Sequence, residues 1–262
     1  MEITGKTRIC AIIADPVHHV KTPQGINRLC QEAGKDVAML AVQVAAADLP
    51  DAVRGLRAMQ NLAGFVVTVP HKTAVVKLCD ELSEDAARMQ AVNVVRRRPD
   101  GTLFGDILDG KGFVAGLREE GIEPAGLSAY LVGAGGAASA IAHALAEAGV
   151  SRLTLANRTK EKSQALRARL ADAYPVLPVS LGGRDPQGHD LVINATSLGL
   201  KPEDPLPLDV TQLSADQVVA EIIMDPAETP LLKAAKRQGC TVQYGSPMLT
   251  NQLKLMAEAM GL

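Results

Sequence analysis

The stretch YLVGAGGAASAIAHAL, residues 130–145, constrains the fold more than any other part of this 262-residue chain. A short apolar run breaks at Gly133, Ala134, Gly135, Gly136 and Ala137, then resumes from Ala138 as an alanine-rich helical segment. Strand, glycine turn and helix in that order bring backbone amides against a pyrophosphate, whose charge the helix N-terminus meets. In this GxGxxA pattern Gly133 permits the tight turn, Gly135 lets the backbone approach, and Ala138 allows close helix–strand packing. The competing reading is a glycine-rich turn that merely starts a helix. The end of the next strand separates two dinucleotides. An NAD site usually carries Asp or Glu there, whereas this chain has Asn157, Arg158 and Thr159, then Lys160 and Lys162. Cations stand where a 2′-phosphate would lie, and the planar fork of arginine clamps phosphate. NADP (NADPH) is the expected cofactor. Arg158, directly after the strand, is the first candidate; Lys160 reads equally as a solvated helix face.

Strand-like and helix-like segments alternate on both sides of this unit. Strands are expected at 9–13, 37–44, 64–69, 129–132, 153–156, 191–194, 218–223 and 242–244. Helices are expected at 24–33, 47–59, 70–82, 135–149, 160–174, 229–238 and 248–260. Pro70 suits a first helical turn because it has no N–H to leave unpaired. Residues 91–97 and 102–105 flank a Pro/Gly turn and read as a hairpin. The alternation implies parallel sheets built from right-handed crossovers, and the length implies about two domains of roughly 100–200 residues each.

Hydrophobic residues make up 47% and charged residues 21% of the chain, a globular profile. Aromatics are only 2%, with no Trp, which leaves few platforms for stacking single-stranded nucleic acid. A net charge of −2 supplies no field to attract nucleic acid or a membrane surface. Cys10, Cys30, Cys79 and Cys240 form no CxxC pair and read as free thiols of a cytoplasmic protein. No Cys/His cluster has zinc-ligand spacing, so no metal site is expected. His18 and His19 are sequence neighbours that point apart in extended chain.

Two segments offer acid–base groups. One is VVTVPHK, which places Lys72 just after a strand; the other is GDILDGKG, with Asp106 and Asp109 before a helix. A lysine at a helix N-terminus is electrostatically out of place, and a nearby carboxylate would orient it. The alternatives are a solvated lysine and an aspartate that simply caps the helix starting at Gly110.

In order along nearly its whole length, the chain resembles the shikimate dehydrogenases. ADPVHHVKTPQGIN stands for the family's GNPIxHSxSPxxHN loop, and GFVVTVPHK for GxNVTxPxK. AVNV and GDILDGKG stand for AVNT and GDNTDGxG, NATSLGL for NATSxGM, and GSPMLTNQ for GxxMLxxQ. The resemblance implies a two-domain α/β protein. An N-terminal α/β substrate domain with a mixed sheet, residues 1–109, would be rejoined by a final helix, 247–262. A C-terminal Rossmann NADP-binding domain would span 110–246. Lys72 and Asp109 would be the catalytic pair. Val20, Thr22, Thr68, Asn93 and Gln252 would fall on substrate-binding positions. Thr196, Ser197 and Gly245 would join the cofactor residues. The partner would be a small cyclohexene carboxylate, the protein a monomer or homodimer, and the setting aromatic amino acid biosynthesis.

The departures lie mainly on the substrate side. The loop's two serines, which in the family hold the substrate carboxylate, align with Val20 and Thr22, and His19 falls on the family's histidine. Val66, Val94, Ile107 and Leu108 replace polar residues, while Glu221 and Met224 replace an aspartate and a tyrosine. Altered preference follows as an expectation: reduced efficiency with shikimate, or an aminoshikimate or quinate dehydrogenase. A non-catalytic NADP(H)-sensing regulator is the reading from another class, disfavoured because a sensor needs neither Lys72 nor Asp109.

Overall fold

The computed structural model describes residues 2–18 and 20–262, so His19 lies outside the described residues. The chain divides into two compact units, residues 1–108 with 252–262, and residues 109–251.

In the first unit the strands are β1 (Arg8–Ala14), β2 (Val37–Gln43), β3 (Leu62–Val67), β4 (Glu81–Leu82), β5 (Val94–Arg97) and β6 (Leu103–Asp106). They form one sheet in the order β2-β1-β3-β5-β6-β4. β1 runs parallel to β2 and β3, whereas β5 is antiparallel to both β3 and β6, so the sheet is mixed. β3 is buried at every residue, as a central strand covered on both faces must be. Helices α1 (Thr22–Glu32), α2 (Leu49–Ala58) and α3 (Glu84–Met89) complete the chain before residue 109. α1 and α2 each place a proline in the first turn, where its missing N–H costs nothing. From the C-terminal segment, Leu253 lies where a side chain on Gly25 of α1 would stand, and Arg8 donates to the Gly261 carbonyl at 3.0 Å.

The helix expected over 70–82 is absent. Residues 69–74 form turns, Val75–Leu78 make one 3₁₀ turn, and β4 follows. A helix would require the Lys72 carbonyl to accept from the amide four residues on. It accepts instead from Val92 N–H at 2.8 Å, and the buried His71 ring bonds the Val44 carbonyl at 2.8 Å. These long-range bonds outcompete a local helix that Val75 and Val76, β-branched, would favour little.

In the second unit an all-parallel sheet comprises β7 (Ser128–Val132), β8 (Arg152–Ala156), β9 (Val179–Leu181), β10 (Leu191–Asn194), β11 (Val218–Glu221) and β12 (Thr241–Gln243). The order β12-β11-β10-β7-β8-β9 is that of a doubly wound dinucleotide-binding sheet. Helices α4 (Asp109–Glu119), α5 (Gly136–Glu147), α6 (Lys160–Ala173) and α7 (Pro230–Arg237) belong to it. The last helix, α8 (Ser246–Ala259), runs across the division at residue 252. β9, short and largely exposed, has no counterpart among the expected strands.

α4 and α5 pack at Gly110, where an added Cβ would lie 2.1 Å from the Ala140 carbonyl oxygen and 2.8 Å from the Ala144 Cβ. Gly110→Ala would gain about 1 kcal/mol of helix propensity. Overlap with backbone that cannot rotate away outweighs that gain, because overpacking costs roughly 1–3 kcal/mol and more when the neighbour is rigid. Thermal unfolding of the variant should therefore show a midpoint several degrees below wild type; an equal or higher midpoint would contradict this packing.

Cys10, Cys30, Cys79 and Cys240 are all free thiols, and burial pushes Cys10 up to about 12. Among the described residues no helix is long and apolar enough to cross a membrane, and no His/Cys/Asp/Glu group could hold a metal.

Candidate active site

β7 and β10 are neighbours in the sheet from which the chain winds in opposite directions, so a crevice opens at their carboxyl ends. The glycine turn lies there. Gly133 has φ +123°, and a Cβ on it would stand 2.7 Å from the Ala195 carbonyl oxygen, so only glycine fits. Gly135 and Gly136 are exposed, and a Cβ on either would meet no atom within 4 Å. What those glycines leave open is therefore approach from outside, as a bound pyrophosphate requires. Ala134 and Ala137 are half-buried beside them. Gly135 precedes α5, whose first amides face that opening.

A cavity of about 810 Å³ adjoins this turn. Its floor is Val132 and Ala156, at the ends of β7 and β8. Asn157, Arg158, Thr196 and Ser197 line it. Asn157 donates to the Thr159 carbonyl at 2.8 Å, which shapes the turn into α6 and presents Arg158 outward. Lys160 and Arg184 also line the cavity, whereas Lys162 is exposed on α6 and is not among the lining residues. Three cations and no carboxylate thus face the space among the described lining residues. That donor set fits a phosphorylated dinucleotide better than one with a free ribose hydroxyl, which would want an acid. Gly245 is buried just after β12.

Arg184 was invisible to sequence reasoning because it follows β9. The loop is held by Tyr130, whose hydroxyl donates to the Gly183 carbonyl at 2.8 Å. The Arg184 guanidinium donates to the Leu206 carbonyl at 2.9 Å.

In the first unit, two loops meet at the carboxyl ends of β1 and β3. Thr68 N–H donates to the Ile13 carbonyl at 3.0 Å and Asp15 N–H to the Val69 carbonyl at 3.2 Å. Thr68 is half-buried, and its carbonyl accepts from His71 at 2.8 Å, next to the half-buried Lys72. Asn93 is buried; its carbonyl accepts from Val67 at 2.8 Å, and its side-chain oxygen from Leu108 N–H at 2.9 Å. Thr68, Lys72 and Asn93 are thereby fixed at one end of the sheet, beyond the carboxyl end of β3 and the amino end of β5. Val20 is half-buried in the loop after β1, Thr22 opens α1, and Gln252 is half-buried on α8. Asp109 is buried as the first residue of α4, directly after Leu108.

Most departures from the family pattern lie in the interior. Val66 and Val94 face one another in register across β3 and β5, and both are buried. Ile107 and Leu108 are buried as well. Among the substrate-side departures, Val20 and Thr22 remain partly accessible.

The parallel sheet, its glycine turn and the cation-lined cavity define an α/β unit of the dinucleotide-binding class. Residues 12–95 match the family described as shikimate dehydrogenase substrate binding domain, and residues 120–199 match shikimate / quinate 5-dehydrogenase. The shikimate dehydrogenase (NADP(+)) of Rubrobacter xylanophilus is 39% identical over 254 residues, spanning 95% of this chain and 89% of its own. The ligand-free 5-ketofructose reductase of Gluconobacter sp. strain CHM43 is similar with a TM-score of 0.91 at 35% identity, over 97% of this chain and 93% of that one. The shikimate 5-dehydrogenase of Listeria monocytogenes, solved with shikimate and NAD, gives a TM-score of 0.94 at 31% identity, over 100% and 94%. The chain belongs to the shikimate dehydrogenase family.

Proposed function

We propose that this chain is an NADP-dependent oxidoreductase that interconverts a secondary alcohol and its ketone, with shikimate or a close analogue as the alcohol. The observation that carries the reading is the cavity at the ends of β7 and β8, faced by Arg158, Lys160 and Arg184 without a lining carboxylate. Bound NADP would supply the hydride acceptor. Lys72 would take the hydroxyl proton as the alcohol carbon loses hydride, and return it in the reverse direction. Asp109 would be its charge partner. Thr68, Asn93 and Gln252 would orient ring hydroxyls, and Thr22 would donate to a carboxylate.

Val20 lacks the hydroxyl that the family uses toward that carboxylate. A hydrogen bond to a charged group contributes about 1.5–3 kcal/mol, so its loss weakens a carboxylate substrate roughly 10- to 100-fold. A second reading follows from the likeness to the 5-ketofructose reductase. A keto-sugar carries no carboxylate, and for such a substrate Val20 would cost nothing.

The test is a cofactor-coupled assay in both directions: NADP⁺ with shikimate, quinate and a 3-amino analogue, and NADPH with 5-ketofructose. Turnover with shikimate at poor KM supports the first reading. Turnover with quinate or the amino analogue instead would shift it to those acids. Turnover with 5-ketofructose alone would replace it with the second. Tight NADP⁺ binding and no turnover at all would leave a nucleotide sensor.

A further inference from the structure

Glu221 is a fully buried carboxylate at the end of β11, directly opposite Asn194 at the end of β10. Each of its hydrogen-bond partners among the described residues donates. Asn194 Nδ2 lies 3.1 and 2.9 Å from its two oxygens. Ile222 and Ile223 N–H donate to Oε1 at 2.9 and 3.2 Å, and the Thr229 hydroxyl to Oε2 at 3.0 Å. All are neutral donors, so the carboxylate is held by hydrogen bonds rather than by a cation. Burial pushes its carboxyl above the ordinary range, and these donors oppose that push.

The orientation of Asn194 follows from unambiguous atoms. Thr196 N–H can only donate, and it meets Asn194 Oδ1 at 3.1 Å, with the Thr196 hydroxyl on the same oxygen at 2.7 Å. The Asn194 amide nitrogen therefore faces Glu221, which must accept. The same nitrogen donates to the Leu198 carbonyl at 3.0 Å, and Leu198 N–H donates to the Thr196 hydroxyl at 3.0 Å. One carboxylate thus sets an amide, and that amide sets both ends of the turn that carries Thr196 and Ser197 into the cavity wall.

We propose that Glu221 is a positioning residue for the cofactor, acting through Asn194 on the 195–199 turn. Glu221 is fully buried and is not among the residues lining the cavity. The inference rests on reading that cavity as the NADP site, and it goes beyond that reading by assigning what shapes its wall.

Glu221→Gln tests it. An amide can match one oxygen's donors only, so its nitrogen must face another N–H. The expected result is an NADP⁺ dissociation constant raised about tenfold by calorimetry, together with faster amide hydrogen exchange across 195–199 in the ligand-free protein. Thr229→Val is the control. It removes a bond to Glu221 and the N-cap of α7, where the Thr229 hydroxyl accepts from Leu232 N–H, without touching Asn194. It should lower the melting temperature and leave the NADP⁺ constant near wild type. Unchanged exchange and affinity in Glu221→Gln would overturn the proposal, and so would an equal loss of affinity in Thr229→Val. Should Glu221→Gln fail to fold, Asn194→Ser breaks the same link from the turn side, with the same expectation and the same overturning result. If the wild-type protein binds no NADP⁺, the cofactor reading fails, while the exchange measurement still decides the role of Glu221.

Discussion

Lys72→Ala is expected to lower kcat by at least about 10²-fold, the usual worth of a positioned proton-transfer group. The substitution removes the side chain and leaves the backbone bonds that fix this segment. The Lys72 carbonyl still accepts from Val92, and His71 still reaches the Val44 carbonyl. Folding and NADP⁺ affinity should therefore stay near wild type, which a melting curve and an NADPH fluorescence titration would check. Lys72→Arg separates charge from proton transfer. Arginine keeps the positive charge but does not give up its proton in proteins, so a proton-transfer role predicts that this variant is about as slow as the alanine one. Near-normal turnover in Lys72→Ala, or recovery in Lys72→Arg, would remove Lys72 from the proton's path.

The two units were unequally legible in the sequence. In the second, local signals and tertiary demands coincide. The glycine turn must sit between an apolar strand and a helix to work at all, so β7, α5 and the end of β8 could be read from spacing alone. In the first unit they conflict. Pro70 and the apolar residues after it look like a helix start, yet the Lys72 carbonyl is taken by an amide twenty residues away, a partner no local pattern reveals. Lys72 is therefore not a cation at a helix N-terminus; tertiary bonds keep the residue in its place.

Burial was the other missing quantity. Val66 and Val94 read as two separate losses of polar groups from a binding site. They are cross-strand partners in the interior, so they form one apolar pair. Unpaired polar groups at these positions would each cost about 1–3 kcal/mol; two valines avoid that cost. Changing only one back to a polar residue would leave it facing an apolar partner. Arg184 was missed for a different reason: β9 spans three residues, too few for periodicity to mark a strand or to draw attention to the cation after it.

Arg158→Ala is expected to weaken NADP⁺ binding roughly 10- to 100-fold, the equivalent of about 1.5–3 kcal/mol for hydrogen bonds to a charged group. NAD⁺ should be little affected, because it has no 2′-phosphate to lose the contact. The same contrast should hold for 2′,5′-ADP against 5′-AMP, which isolates the adenosine end from the nicotinamide. Arg158 is exposed, so its attraction is screened by salt with a Debye length of about 8–10 Å. Wild-type affinity for NADP⁺ should therefore fall as ionic strength rises, and the variant should show a shallower dependence. Lys160 and Arg184 line the same cavity, and they set the floor of the effect: two remaining cations still favour the phosphate, so the preference should shrink rather than reverse. Equal losses for NADP⁺ and NAD⁺ would refute the clamp. An unchanged preference would instead move the discrimination to Lys160 and Arg184, whose double replacement should then abolish it.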